Sequence, residues 1–369
     1  MCHYVGRHAL AWLPKLIVAS ALLLAAATGH AESTEQLAFD VAGNRLVGFL
    51  ERPTQRPASS TIIIVHSAGE TNVVEWNSYA RERALFTGLG INVVVWDKPG
   101  NGESEGTFDM NQPVGSSAEE VVAAVHKLRT LDIPGSQRIG LWGGSRAGWI
   151  APLAIQAEPS IAFWISISGV DDKENARYLL QSNLPIEGRS AEETERLVSA
   201  WQRSVDIAAT GGSYADYAEA AAELSDDPFL QFMGWDKPIE EDSFRIYQSQ
   251  FETGAYRYDP QARLAVYVQE FPELLASLDI PVLALFGELD TNVDWRKTRA
   301  LYLKTIGANP HAELEIRSFP GANHMLRQAR TGGVREQNTE SWNWPYAEGY
   351  FEIMTDWLVA RKFGRRPNN

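Results

Sequence analysis

The chain has 369 residues, 44% hydrophobic and 22% charged, enough to bury a large core. Its 47 acidic against 33 basic side chains give a net charge of −14, which repels nucleic acid and anionic membrane surfaces and favours a small or uncharged partner. The one cysteine, Cys2, rules out an internal disulfide framework.

Residues 1–31 read as an export signal. Arg7 and Lys15 supply positive charge, the apolar run 16–27 is interrupted only by Ser20, and Thr28-Gly29-His30-Ala31 offers small residues for cleavage. The run falls short of the ~20 residues of a bilayer-spanning helix. Cleavage near Ala31 is therefore expected, giving a periplasmic or secreted protein without stable membrane insertion. An uncleaved anchor is the alternative.

Apolar, β-rich runs then alternate with helical patterns. Residues 38–41 and 46–50 flank a Gly43-Asn44 turn and read as a hairpin. Further runs occupy 61–66, 91–96, 138–142, 161–168, 281–286 and 312–319. All of these except the last are nearly unbroken apolar, as parallel strands covered on both faces must be. Helices are predicted at 117–130, where Ser117 and Glu120 have capping-box spacing, and at 347–362. This alternation predicts a doubly wound α/β sheet.

Residues 171–258 break the rhythm. They carry charged helical patterns at 191–208 and 214–224 and many large apolar residues, among them Phe232 and Trp235. A helical lid over one end of the sheet is the expectation, because ligands bind beyond strand C-termini in such sheets. The organisation is then signal (1–31), core (32–170), lid (171–258) and core (259–369). Phe232 and Trp235 are candidate substrate-binding residues.

Leu141-Trp142-Gly143-Gly144-Ser145-Arg146-Ala147-Gly148 follows a strand and opens a helix. A serine on such a turn is pushed toward substrate, provided that its neighbours two residues away are small, as Gly143 and Ala147 are. Gly211-Gly212-Ser213-Tyr214-Ala215 has the same pattern, with no strand before it. Ser145 needs a base and an acid. Four histidines follow the signal: His66, His126, His311 and His324. His126 falls inside a helix, His311 precedes a strand, and His66 comes before the nucleophile in the chain. His324, in the loop after the last strand, is the candidate base. The acid is expected after the preceding strand, where Asp290 leads and Glu288 and Asp294 are rivals. Oxyanion donors are expected from the backbone N–H of Arg146 and of Ala68 in the loop His66-Ser67-Ala68-Gly69. The loop from Asp97 to Ser104 reads as structural.

These segments resemble the α/β-hydrolase superfamily, more narrowly bacterial acyl esterases related to the prolyl-oligopeptidase and serine-aminopeptidase branches. The resemblance covers the elbow, the loop from Asp97 to Ser104, Gly287 to Asp290, Asn323-His324 and the closing helix. It implies the α/β-hydrolase fold, with an eight-stranded, mostly parallel sheet, helices on both faces and hydrolysis through an acyl-enzyme. Ala147 and Ser67 stand where glycine is usual, and Pro99 where arginine is frequent.

The expected activity is therefore that of a serine esterase on small-molecule esters of short to medium acyl chain. No metal or organic cofactor is implied, as no HExxH motif or Cys/His cluster is present. A peptidase or amidase with the same triad is the nearest alternative, with Glu240-Glu241-Asp242 as a possible seat for a substrate amine. A non-catalytic binding protein on the same scaffold is the third reading.

Overall fold

The computed structural model describes residues 33–73 and 75–367. The expected export signal lies outside these residues.

Eight strands form the main sheet: β1 (Ser33–Val41), β2 (Asn44–Arg52), β3 (Ser60–Val65), β4 (Ile91–Trp96), β5 (Ile139–Gly144), β6 (Phe163–Ile167), β9 (Pro281–Gly287) and β10 (Glu313–Phe319). A separate two-stranded ribbon holds β7 (Arg257–Asp259) and β8 (Leu264–Val266). The main sheet runs β1-β2-β4-β3-β5-β6-β9-β10. Only the β1–β2 and β2–β4 pairings are antiparallel.

The unbroken apolar runs find their reason in a sheet covered on both sides. Along β3, Ile63 and Val65 face one core cluster while Ile62 and Ile64 face the other. On the first face lie the helices Val114–Thr130 and Ala147–Ala157. On the second lie Ala80–Gly88 and Tyr350–Ala360, the last through Tyr350, Met354, Trp357 and Leu358. Each fully buried aliphatic side chain contributes about 1.5–3 kcal/mol.

Two local expectations are corrected. The hairpin turn is Ala42-Gly43, both at positive φ, and Asn44 already pairs with Val41. Two positive-φ residues suit a tight hairpin because their twist matches that of the strands. The predicted capping box at Ser117 and Glu120 does not form, because the helix starts earlier, after Pro113. Both side chains turn inward instead. Ser117 Oγ accepts from Arg146, and Glu120 accepts from Trp96 Nε1 at 3.0 Å and Gln112 Nε2 at 2.7 Å.

Between β6 and β7 lie five helices, Ala176–Ile186, Ala191–Ala209, Tyr214–Ser225, Pro228–Phe232 and Glu241–Glu252. They bury apolar clusters of their own, around Trp201 and Phe229 and around Tyr217 and Phe244. A capping box opens the longest of them: Ser190 Oγ accepts from the Glu193 N–H while Glu193 reaches back to the Ser190 N–H. Among the described residues, no helix is long and apolar enough to cross a membrane.

The connectivity fixes where a ligand can enter. From β3 the chain passes to β4 on one side, then crosses to β5 on the other. Doubly wound sheets place their ligands beyond the strand C-termini at such a reversal, here those of β3 and β5. Ser145 follows β5 and the loop from His66 to Gly69 follows β3.

Candidate functional site

Ser145 has φ +54, the left-handed region that a non-glycine residue occupies at a cost of about 1–3 kcal/mol. Its surroundings hold it there. The Ser145 N–H donates to Ile167 O at 2.9 Å, at the end of β6, and Gly148 N–H donates back to Ser145 O at 2.7 Å. The turn is too tight for side chains nearby. A Cβ on Gly143 would stand 2.6 Å from Ala147 Cβ and 2.8 Å from Val65 O. One on Gly148 would meet Val170 N at 2.9 Å. The small residues on either side of the serine are thus demanded by the approach of β5, its helix and β3.

His324 and Asp290 meet across the loops that follow β10 and β9. His324 Nδ1 lies 2.7 Å from Asp290 Oδ2, with the histidine side chain 7% exposed and the carboxylate fully buried. Asp290 Oδ1 accepts from the N–H groups of Asn292 at 2.8 Å and Val293 at 2.9 Å. A carboxylate held at both oxygens fixes the imidazole tautomer and orientation. The rivals are occupied elsewhere. Asp294 caps the helix Trp295–Lys304 through the Arg296 and Lys297 N–H groups, and Glu288 accepts from Ser318 Oγ at 2.6 Å. His126 contacts Glu158 and is exposed, while His311 sits in the turn before β10. His66 is packed edge-on against Trp96, and burial, with Lys98 beside it, lowers its pKa to about 3. It stays neutral at any ordinary pH.

The loop from His66 to Gly69 is tied to its neighbour. Lys98 Nζ donates to Ser67 O at 2.6 Å and Gly69 O at 2.5 Å, and so holds the residues on both sides of Ala68. Asn101 Oδ1 accepts from Thr71 N–H and Asp97 Oδ1 from Val73 N–H, each at 2.6 Å. The segment from Asp97 to Ser104, read from sequence only as structural, therefore shapes this loop. Burial pulls the Lys98 ammonium down to about 7, as does the Arg146 guanidinium, whereas Glu120 opposes that shift. The Arg146 side chain donates to Ser117 Oγ and Gln112 O. Its backbone N–H stands at the start of the helix Ala147–Ala157, where such groups lack intrahelical partners.

No protein-family model matches the chain. The quorum-quenching protein AidA of Acinetobacter baumannii is 29% identical over 110 residues, 30% of this chain and 35% of that protein. The match thus spans about a third of that relative's length. Solved structures match far more of the chain. The esterase Pf2001 of Pyrococcus furiosus aligns at TM-score 0.52 and 14% identity, over 89% of this chain and 90% of that one. DcsB, solved in complex with its substrate analogue, aligns at TM-score 0.51 and 16% identity, over 89% and 99%. This chain has the α/β-hydrolase fold.

The other predicted residues fall in separate places. Phe232 is 37% exposed, with the Arg335 guanidinium 4.4 Å from its ring centroid. Trp235 is buried and lines a cavity within the helical insertion, whose walls include none of Ser145, Asp290 and His324. Glu240 and Glu241 lie at the surface and pair with Lys237 and Arg245. Among the described residues, no group of three or more His, Cys, Asp or Glu side chains is placed to hold a metal ion. Two site neighbours had no sequence signal. Ser168, itself at φ +46, donates from Oγ to His324 O at 2.8 Å, and Tyr178 OH donates to Asp290 O at 3.0 Å. Both act on backbone oxygens of the site, a role any hydroxyl of the right position could fill.

Proposed function

We propose that the protein is a serine hydrolase that cleaves carboxylic esters of short to medium acyl chain through an acyl-enzyme on Ser145. The observation that carries this reading is the buried His324–Asp290 contact at 2.7 Å, in loops that follow the C-terminal ends of parallel strands, as does a serine strained to φ +54. In the proposed reaction His324 Nε2 takes the Ser145 hydroxyl proton as Oγ attacks the ester carbonyl. The oxyanion rests on the N–H groups of Arg146 and Ala68. As the intermediate collapses, the C–O bond to the alcohol breaks and His324 returns the proton to the departing oxygen. A water molecule, deprotonated by the same imidazole, then releases the carboxylic acid and restores Ser145.

A fluorophosphonate probe should label the purified protein once, on the peptide that contains Ser145. A panel of p-nitrophenyl esters run beside aminoacyl and dipeptidyl anilides should show turnover of the acetate to hexanoate esters well above any anilide. Labelling elsewhere, or anilides turned over faster than every ester, overturns the reading.

A further inference from the structure

The helical insertion holds a cavity with about 40 Å³ open to the centre of a water molecule. One water needs roughly 10–15 Å³ by this measure, so the space suits a small head group rather than an acyl chain. Its walls include four aromatic side chains, Trp201, Tyr217, Trp235 and Tyr247, each at least nine-tenths buried, among aliphatic ones. Glu174 also lines it, only 7% exposed. This glutamate lies between β6 and the helix Ala176–Ile186, and its N–H is fastened to Ala265 O of β8 at 3.1 Å. One carboxylate oxygen, Oε2, accepts from the Ala176 N–H at 3.1 Å. The other, Oε1, is buried with no hydrogen-bond partner.

An unpaired carboxylate oxygen in an apolar wall is costly, and folded proteins rarely keep one without a use. Four aromatic side chains and a carboxylate lining one cavity supply what an organic cation prefers, since ring quadrupoles and negative charge act together. The one lysine on the cavity wall, Lys237, has a side chain 68% exposed, with Nζ 2.6 Å from Glu240 Oε1. It does not neutralise Glu174.

We propose that this cavity is a binding site for a small organic ammonium ion, with Glu174 as its counter-ion and Trp201, Tyr217, Trp235 and Tyr247 as its walls. The site stands apart from the esterase reading, because it shares no lining residue with the proposed catalytic groups. Burial pushes the Glu174 carboxyl up to about 7. Among the described residues, Arg177 favours its ionisation and Asp171 opposes it, and the buried phenol of Tyr247 is also near. A bound cation stabilises the ionised form, so affinity rises with pH across that value and levels off above it.

The test is a titration of the full chain with tetramethylammonium chloride at constant ionic strength, read by heat and by tryptophan fluorescence, since two indoles line the cavity. Saturable binding is expected, with no competition from uncharged tert-butanol of similar shape. Glu174→Gln should weaken binding at least tenfold and remove its pH dependence, while Glu240→Gln leaves both unchanged. Trp235→Leu keeps apolar bulk and loses the ring. It should cost several-fold in affinity, and it serves as the test if Glu174→Gln does not fold. No saturation in the wild type, equal binding of tert-butanol, or binding that survives both substitutions would overturn the proposal and leave the cavity a pocket for water.

Discussion

Two pentapeptides in this chain, Gly143-Gly144-Ser145-Arg146-Ala147 and Gly211-Gly212-Ser213-Tyr214-Ala215, differ only in their fourth residue. Their serines end in opposite states. Ser145 is held at φ +54 between a strand and a helix, with its backbone tied to β6. Ser213 is relaxed at φ −76 and ψ 155, follows a helix, and caps the next one by accepting from the Asp216 N–H. The pattern permits a tight turn, but the neighbours demand it. At Gly143 a Cβ would collide with Ala147 and Val65, whereas at Gly211 it would meet nothing within 4 Å. A strand flanked by two parallel partners makes the first serine a strained one, and an isolated helix start leaves the second an ordinary cap.

The largest effect separates the two serines outright. Ser145→Ala should lower esterase kcat by several powers of ten with an unchanged melting curve, and His324→Ala should match it. Ester turnover near the wild-type rate in Ser145→Ala would end the distinction between the two motifs. The two aspartates near β9 form a parallel contrast. Asp290→Asn should cost about 10⁴-fold in kcat, because an amide oriented toward the ring favours the wrong tautomer. Asp294→Asn should change little, since asparagine caps a helix about as well as aspartate. A reversal of that order would move the acid to Asp294 and leave the fold untouched.

Much of this was legible because the sheet is buried on both faces. Such strands must be apolar throughout, and β4 and β9 fall within a residue of the runs in sequence. Chain order and strand ends then brought Ser145, Asp290 and His324 forward as candidates. What escaped was carried by single polar contacts between distant segments. Nothing around Lys98 says that its ammonium reaches the carbonyls of residues 67 and 69, or that Ser168 reaches His324 O. The β7–β8 ribbon escaped for another reason: three residues per strand are too few to show an alternation. Phe232 and Trp235 looked equivalent as large apolar residues of one segment, yet the short helix Pro228–Phe232 ends between them. One is left at the surface and the other turned inward.

The elbow's geometry gives the next test. Gly143→Ala should lower stability by a few kcal/mol, as overpacking against backbone does, and cut activity in the protein that still folds. Gly211→Ala meets no atoms but sits at φ +81, and should cost only about 1 kcal/mol with normal turnover. Lys98→Met follows. It should reduce kcat by about 10- to 100-fold with a smaller change in KM, because the Ala68 N–H loses its orientation for the oxyanion. With the ammonium lowered to about 7 by burial, its hold on the two carbonyls weakens as the pH rises past that value. Wild-type kcat should therefore carry an alkaline decline that is absent from Lys98→Met. A decline that persists in the variant would assign it to another group.

The smallest effect tests the decoy itself. Ser213 Oγ accepts from the Asp216 N–H at 3.1 Å and donates to Asp216 Oδ2 at 2.6 Å, so its hydroxyl is fully committed to the start of the helix Tyr214–Ser225. Removing it in Ser213→Ala leaves one N–H of the first turn without its side-chain acceptor, worth about 0.5–2 kcal/mol. In a protein of this size that corresponds to a fall in Tm of roughly 1–3 °C. Esterase kcat/KM should stay within about twofold, since the helix turns Tyr217, Ala221 and Leu224 into the insertion's own clusters. Calorimetry and steady-state kinetics on the same preparation decide the point. A tenfold loss of activity at an unchanged Tm would mean that this helix start shapes the substrate's path, and that the two serines are less different in function than in conformation.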